Sequence, residues 1–117
     1  MNIIICDDRI DDRKNLSDLL SDYGEKKNYE FTITEYESGE QLCEEQSALE
    51  ACQLLFLDIN MQGMDGLKTA MRIKEKYPKL PVVLVTAYMN YALDREKSVE
   101  KALKSISRYG EDGIIRF

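Results

Sequence analysis

Apolar residues run unbroken at three places along the chain: Ile3 to Cys6, Leu54 to Leu57 and Val82 to Val85. Short apolar runs bounded by turn residues read as strands buried on both faces, which implies a parallel sheet covered by helices. Each run ends on polar side chains: Asp7-Asp8, Asp58 and Thr86. The strands they predict are 2–6, 53–58 and 82–86. Between them the period changes. Ile10, Leu16, Leu19, Leu20 and Tyr23 recur at helical spacing, predicting a helix over roughly 9–23 that ends before Gly24. Residues 29–35 alternate apolar and polar, as a strand does when only one face is covered, at a sheet edge. Ser38, with Gln41 three residues on, predicts the N-cap of a second helix carrying Leu42 and Leu49. Asp65 caps a third helix over 66–76, with Leu67, Ala70, Met71 and Ile73, which stops before Tyr77-Pro78.

Strands alternating with helices specify a doubly wound α/β fold with right-handed crossovers. Two fully apolar central strands beside an alternating second strand suit the order 2-1-3-4-5. In that order the topological switch point lies between strands one and three, at their carboxyl ends. Asp7, Asp8 and Asp58 are therefore expected to converge.

With 117 residues the chain is expected to form one domain, burying about two-thirds of its unfolded surface. Its 22 acidic and 16 basic residues leave a net charge of −6, which argues against direct nucleic-acid binding by this domain. No run approaches a membrane span and no signal peptide precedes the first strand, so the expectation is no membrane partner and a cytoplasmic location. Cys6, Cys43 and Cys52 have no metal spacing and, being odd in number, no closed disulfide framework. The chain has no histidine, which excludes histidine-based catalytic triads, histidine-ligated zinc and a phosphohistidine of its own.

Three carboxylates at neighbouring strand ends repel one another, raising at least one pKa unless a cation sits among them. Mg²⁺ is the natural occupant, since it takes oxygen ligands and keeps several waters. The main-chain carbonyl of Asn60 is placed to add a neutral oxygen. A carboxylate beside the metal could attack a phosphoryl group, and Thr86 could hydrogen-bond a phosphoryl oxygen. Singly, each residue has an ordinary structural explanation, because Asp is common in βα turns and Thr at strand ends. The conjunction across three strand ends is the stronger signal.

The segments Ile3-Ile4-Ile5-Cys6-Asp7-Asp8, Asp58 to Gly66 and Val85-Thr86-Ala87 resemble the receiver domain of two-component response regulators. Cys6-Asp7-Asp8 and residues 86–92 are most similar to receivers of LytTR-type regulators. The resemblance covers roughly residues 1–93 and implies a flavodoxin/CheY-like fold. It further implies that Asp58 is the phospho-acceptor, that Asp7, Asp8, Asp58 and the Asn60 carbonyl hold Mg²⁺, and that Thr86 is the switch hydroxyl. The implied partner is a sensor histidine kinase, with homodimerisation left open, and the implied role is a signalling switch rather than an enzyme. Gln62 stands where the family usually has proline.

After residue 93 the pattern departs. The family carries a fifth strand ending in lysine about twenty residues past Thr86, but position 106 is Ile. Residues 95–109 instead have helical spacing, with Val99, Ala102, Leu103 and Ile106 on one face, stopped by Gly110. Two readings stand. In the favoured one 88–109 is an over-long helix and 113–117 a substitute fifth strand covering the edge of strand four; in the other the fifth strand is missing. Arg116, Lys104 and Lys97 are candidates for the lysine's role. Two rival functions remain: a degenerate receiver acting as a phosphorylation-independent module, and a Mg²⁺-dependent aspartyl phosphatase or phosphotransferase. Against the enzyme, Asn60 stands where a second acid would act, and no segment is long enough for a substrate-covering cap.

Overall fold

The computed structural model describes residues 1–85 and 99–104, and the backbone of 114–116. Five parallel strands form the sheet: β1 (Asn2–Cys6), β2 (Thr32–Tyr36), β3 (Leu54–Asp58), β4 (Val82–Val85) and β5 (Ile114–Arg116). Their order is β2-β1-β3-β4-β5, as the sequence pattern predicts. β3 and β4 are buried throughout, whereas β2, at an edge, keeps Thr32, Thr34 and Glu35 exposed. β5 pairs Ile114 with Val82 and Arg116 with Leu84, so it closes the β4 edge and favours the substitute-strand reading.

The apolar strands feed both faces of the sheet, because successive side chains point to opposite sides. Ile4, Cys6, Leu55, Leu57, Val82 and Leu84 pack under α2 (Gly39–Glu44), α3 (Gln46–Ala51) and α4 (Gly66–Lys76). Ile3, Ile5, Leu54, Phe56, Val83 and Val85 pack on the other face against Leu16 and Leu20 of α1 (Ile10–Lys27). Residues 99–104 are helical, and Val99 and Ala102 are buried in that second layer. The remainder of the predicted 95–109 helix, and Ile106 within it, lies outside the described residues.

Three boundaries differ from expectation. α1 does not stop at Gly24 but runs to Lys27. Gly24 is buried in the helix because a Cβ there would lie 2.9 Å from the Phe31 ring and 3.0 Å from the Tyr29 carbonyl oxygen. The left-handed capping residue is Asn28, at φ 60°, and the Tyr29 N–H donates back to the Gly24 carbonyl at 2.8 Å. β2 begins at Thr32 rather than residue 29, since Tyr29 turns into a ring cluster, 6.2 Å from Tyr23 and 5.9 Å from Phe31 between centroids. The second helix is broken in two at Glu45, for which we have no physical account. Its cap is as expected: Ser38 Oγ accepts from the Gln41 N–H at 3.1 Å.

Candidate functional site

The site lies where β1 and β3 end side by side. Cys6 stands opposite Leu57 in the ladder, so the next residues, Asp7 and Asp58, leave the sheet as neighbours. The ladder continues to both sides: the Asp7 N–H donates to Tyr36 O on β2, and the Ile59 N–H to Val85 O on β4, at 3.1 and 3.0 Å. Asp7, Asp8 and Asp58 each offer a carboxylate oxygen within 4.8 Å of the others. Asp7 is 8% and Asp58 7% exposed, and Asp8 is half-buried.

Backbone amides hold each acid. Asp7 Oδ1 accepts from the Arg9 N–H at 2.9 Å, Asp58 Oδ1 from the Asn60 N–H at 3.3 Å, and Asp8 Oδ2 from the Gln62 N–H at 3.0 Å. The loop back to α4 is compact. The Gly66 N–H donates to Ile59 O at 3.1 Å, and a Cβ at Gly66 would collide with the Asp58 carbonyl oxygen. Gly63 holds a positive φ of 75°, which favours glycine. Asp65 Oδ1 caps α4 through the Lys68 N–H at 2.8 Å.

Neither nearby guanidinium neutralises the trio. Arg13 donates to the Asp7 carbonyl oxygen at 2.8 Å and pairs with Glu35 at 3.2 Å, while Arg9 pairs with Asp12 at 3.8 Å. Burial pushes the Asp7 carboxyl up to about 7; the Arg9 amide opposes this, and the charges of Asp58, Asp12 and Asp8 add to it. Asp58 is also raised, by burial first and then by the charge of Asp8, against the Asn60 amide and a hydrogen bond with the Asp7 side chain, which lower it. Asp8 Oδ1 is buried and has no hydrogen-bond partner among the described residues. An orphaned buried carboxylate oxygen beside two acids that resist ionisation is a donor set fitted to a hard, oxygen-seeking cation such as Mg²⁺.

The structure thus brings together three of the predicted site residues, Asp7, Asp8 and Asp58, and places Asn60 two positions along the adjoining loop. Thr86 and Lys97 lie outside the described residues. Of the other cation candidates, Lys104 is exposed on the 99–104 helix. Arg116 stands on the sheet row Cys6–Leu57–Leu84, one position before the acids. Two contributors escape sequence reasoning. Glu40, on α2, accepts the Met64 N–H at 2.7 Å, and the Gln62 amide reaches Asp8. An acid in a helix's first turn looks like an ordinary dipole partner, so nothing in the sequence pattern singles out Glu40.

The family model of the response regulator receiver domain matches residues 3–108, and the chain belongs to that family. The transcriptional regulator NtrC of Escherichia coli is 40% identical over 57 residues, 49% of this chain and 12% of NtrC. The transcriptional regulatory protein ZraR of the same organism is 29% identical over 116 residues, 99% of this chain and 23% of ZraR. The chain therefore spans less than a quarter of the length of either relative. Among solved structures, the N-terminal domain of a response regulator/sensory box/GGDEF protein from Carboxydothermus hydrogenoformans superposes with a TM-score of 0.74. It is 24% identical, over 93% of this chain and 95% of that one. The response regulator TrrA from Thermotoga maritima, in complex with Mg²⁺ and BeF, is 25% identical with a TM-score of 0.66, covering 99% of this chain and 85% of TrrA.

The fold is accordingly CheY-like α/β. Receiver domains are signalling switches phosphorylated by sensor histidine kinases, and they bind Mg²⁺ at an acidic pocket of the kind Asp7, Asp8 and Asp58 form here. The narrower likeness to LytTR-type receivers finds no support, the relatives being similar to NtrC and ZraR. Cys6-Asp7-Asp8 is a buried strand running into site acids, too short a segment to single out one class of receiver, and residues 86–92, which also pointed there, lie outside the described residues. Among the described residues, no helix is long and apolar enough to cross a membrane.

Proposed function

We propose that residues 1–117 act as one phospho-accepting receiver domain in which Asp58 takes a phosphoryl group from the phosphohistidine of a sensor kinase. The observation that carries this reading is the carboxylate trio within 4.8 Å, its Asp8 Oδ1 buried without a partner among the described residues. A carboxylate oxygen of Asp58 bonds to phosphorus as the bond from phosphorus to the imidazole nitrogen breaks, and the electron pair returns to the imidazole. Asp7, Asp8, Asp58 and the Asn60 carbonyl would hold Mg²⁺, which would supply charge neutralisation on acceptor and donor during phosphoryl transfer. Thr86 then hydrogen-bonds a phosphoryl oxygen and moves its loop, which is how the new charge alters the surface.

Arg116 is the cation best placed by register to take the usual lysine's part, at the end of the edge strand beyond β4. The names of NtrC and ZraR support transcription as the controlled output, and a cytoplasmic location follows from the proposed kinase partner. The net charge of −6 supports an output that does not pass through nucleic-acid binding by this domain itself. A phosphorylation-independent interaction module is the second reading, favoured by the lack of lysine among β5 residues Ile114–Arg116. Intact mass after treatment with acetyl phosphate, with and without Mg²⁺, separates the two. One phosphoryl adduct that requires Mg²⁺ supports the acceptor, and an unchanged mass supports the module.

A further inference from the structure

The loop between Asp58 and α4 is gripped from two sides by carboxylates that belong to other elements. Asp8, at the end of β1, takes the Gln62 N–H, and Glu40, in the first turn of α2, takes the Met64 N–H. The grip from α2 is close. A Cβ on Gly63 would lie 2.8 Å from Glu40 Oε1, so the carboxylate sits directly over a loop residue whose φ of 75° favours glycine. One position earlier on α2, a Cβ on Gly39 would collide with the Thr69 hydroxyl of α4 and stand 3.2 Å from the Met64 carbonyl oxygen. α2 therefore lies close against the Met64 backbone of the loop and the Thr69 side chain of α4, and Glu40 supplies the charge-assisted bond across the seam.

We propose that Glu40 is a positioning residue for the metal site: its hold on the Met64 amide fixes the loop that presents the Asn60 N–H to Asp58 and the Gln62 N–H to Asp8. This rests on the receiver reading of the acid trio. The chain of contacts is short. Glu40 fixes Met64, Gln62 lies two residues back with its N–H on Asp8 Oδ2, and Asn60 two further back with its N–H on Asp58 Oδ1. Three alternate amides of one loop are thus tied to three acids. Two of those acids belong to the metal trio, and Glu40 is the third. Releasing the Met64 end lets the other two drift, and a misplaced partner of a ligand weakens a metal site without removing any ligand.

The test follows amide NMR shifts of the whole chain during Mg²⁺ titration, in wild type, Glu40→Ala, Glu40→Gln and Glu44→Ala. Glu40 and Glu44 are both exposed on α2, so Glu44→Ala removes an equal charge without touching the loop. A glutamine keeps an acceptor oxygen for Met64. We expect Glu40→Ala to weaken Mg²⁺ binding by about tenfold, the low end of what such supporting contacts contribute. Glu40→Gln should fall between wild type and Glu40→Ala, since it keeps the acceptor oxygen and loses only the charge assistance. In metal-free protein, Glu40→Ala should also lose hydrogen-exchange protection at the Met64 amide. Wild-type affinity in Glu40→Ala overturns the inference and leaves the receiver reading intact. Equal weakening in Glu40→Ala, Glu40→Gln and Glu44→Ala also overturns it, by showing only net charge. A wild-type protein whose pocket amides ignore Mg²⁺ overturns the receiver reading itself, and the inference with it.

Discussion

The two ends of the sheet are built on opposite principles. At the carboxyl ends of β1 and β3 the chain crowds Asp7, Asp8 and Asp58 together and leaves Asp8 Oδ1 buried without a partner among the described residues. At the amino end, before β2, it stacks Tyr23, Tyr29 and Phe31 over Gly24, with no charge among them. The aromatic end adds packing to the fold around the buried Tyr23, whereas at the acidic end burial and the charges of neighbouring acids disfavour the ionised carboxylates. Residues that cost stability are therefore the ones to suspect of function, and residues that supply it belong to the frame.

The largest effect should come from Asp58→Asn. We expect complete loss of the acetyl phosphate adduct by intact mass and, in the same variant, a higher thermal midpoint for the metal-free protein near pH 8. One neutral amide replaces a carboxylate whose ionised form is disfavoured first by burial and then by the charge of Asp8. An adduct that persists would place the acceptor elsewhere, and a lower midpoint would mean that the trio is not a source of repulsion.

The contrast also explains what could be read from the sequence. The buried runs and their terminal acids were legible, because a strand covered on both faces has to be apolar throughout and its polar end then stands out. Strand order followed from the single alternating strand, which had to be an edge. Gly24 misled because helix-stopping and close-packing glycines look alike in one dimension. Tyr29 reads as a strand residue by pattern but is claimed by a ring cluster. Glu40 and the Gln62 amide were invisible for another reason: both contacts use backbone N–H groups of a loop, and backbone carries no sequence signature.

A second expectation sharpens the acidic side. Asp8→Ala should weaken Mg²⁺ binding at least tenfold, because it removes a ligand carboxylate, and changes merely supporting such ligands already cost about that much. Lys26→Ala, exposed on α1, should leave binding unchanged. Calorimetric titration reads both, and equal affinities for Asp8→Ala and wild type would remove Asp8 from the site.

The third expectation concerns pH. The Asp7 carboxyl, raised by burial from 3.8 to about 7, keeps its proton in the folded state over a range where the unfolded chain has lost it. The native state then binds more protons than the unfolded one, so this group's contribution to stability falls as pH rises from about 4 to about 7 and is level above. The slope should not exceed about 1.4 kcal/mol per pH unit, that of one proton. Mg²⁺ favours the ionised carboxylates, so its affinity should rise with pH and saturating Mg²⁺ should flatten the stability profile. Denaturant midpoints across that range, with Mg²⁺ and with chelator, measure both. Metal-free stability that climbs from pH 5 to pH 7 and is lost in Asp7→Asn would reverse the assignment.

The smallest effect is expected at the aromatic end, where two contributions of opposite sign nearly cancel. Gly24→Ala in α1 should gain about 1 kcal/mol from helix propensity, since alanine loses less backbone freedom on folding. Against that, the new Cβ would meet the Phe31 ring at 2.9 Å and the Tyr29 carbonyl oxygen at 3.0 Å. The ring is only partly buried and is a side chain that can adjust, but the carbonyl is held by the backbone around it. Its residue donates to Gly24 O at 2.8 Å and follows Asn28, whose left-handed conformation ends the helix. Overpacking against fixed atoms costs about 1–3 kcal/mol, so the clash should win and leave the variant about 1 kcal/mol less stable in denaturant unfolding. Phe31→Leu combined with Gly24→Ala separates the two opponents. If the ring is the obstacle, the pair should be more stable than Phe31→Leu alone by about the propensity gain of 1 kcal/mol. If the Tyr29 carbonyl is the obstacle, as we expect, Gly24→Ala remains destabilising in the Phe31→Leu background. In neither case should Mg²⁺ binding at the opposite end of the sheet change.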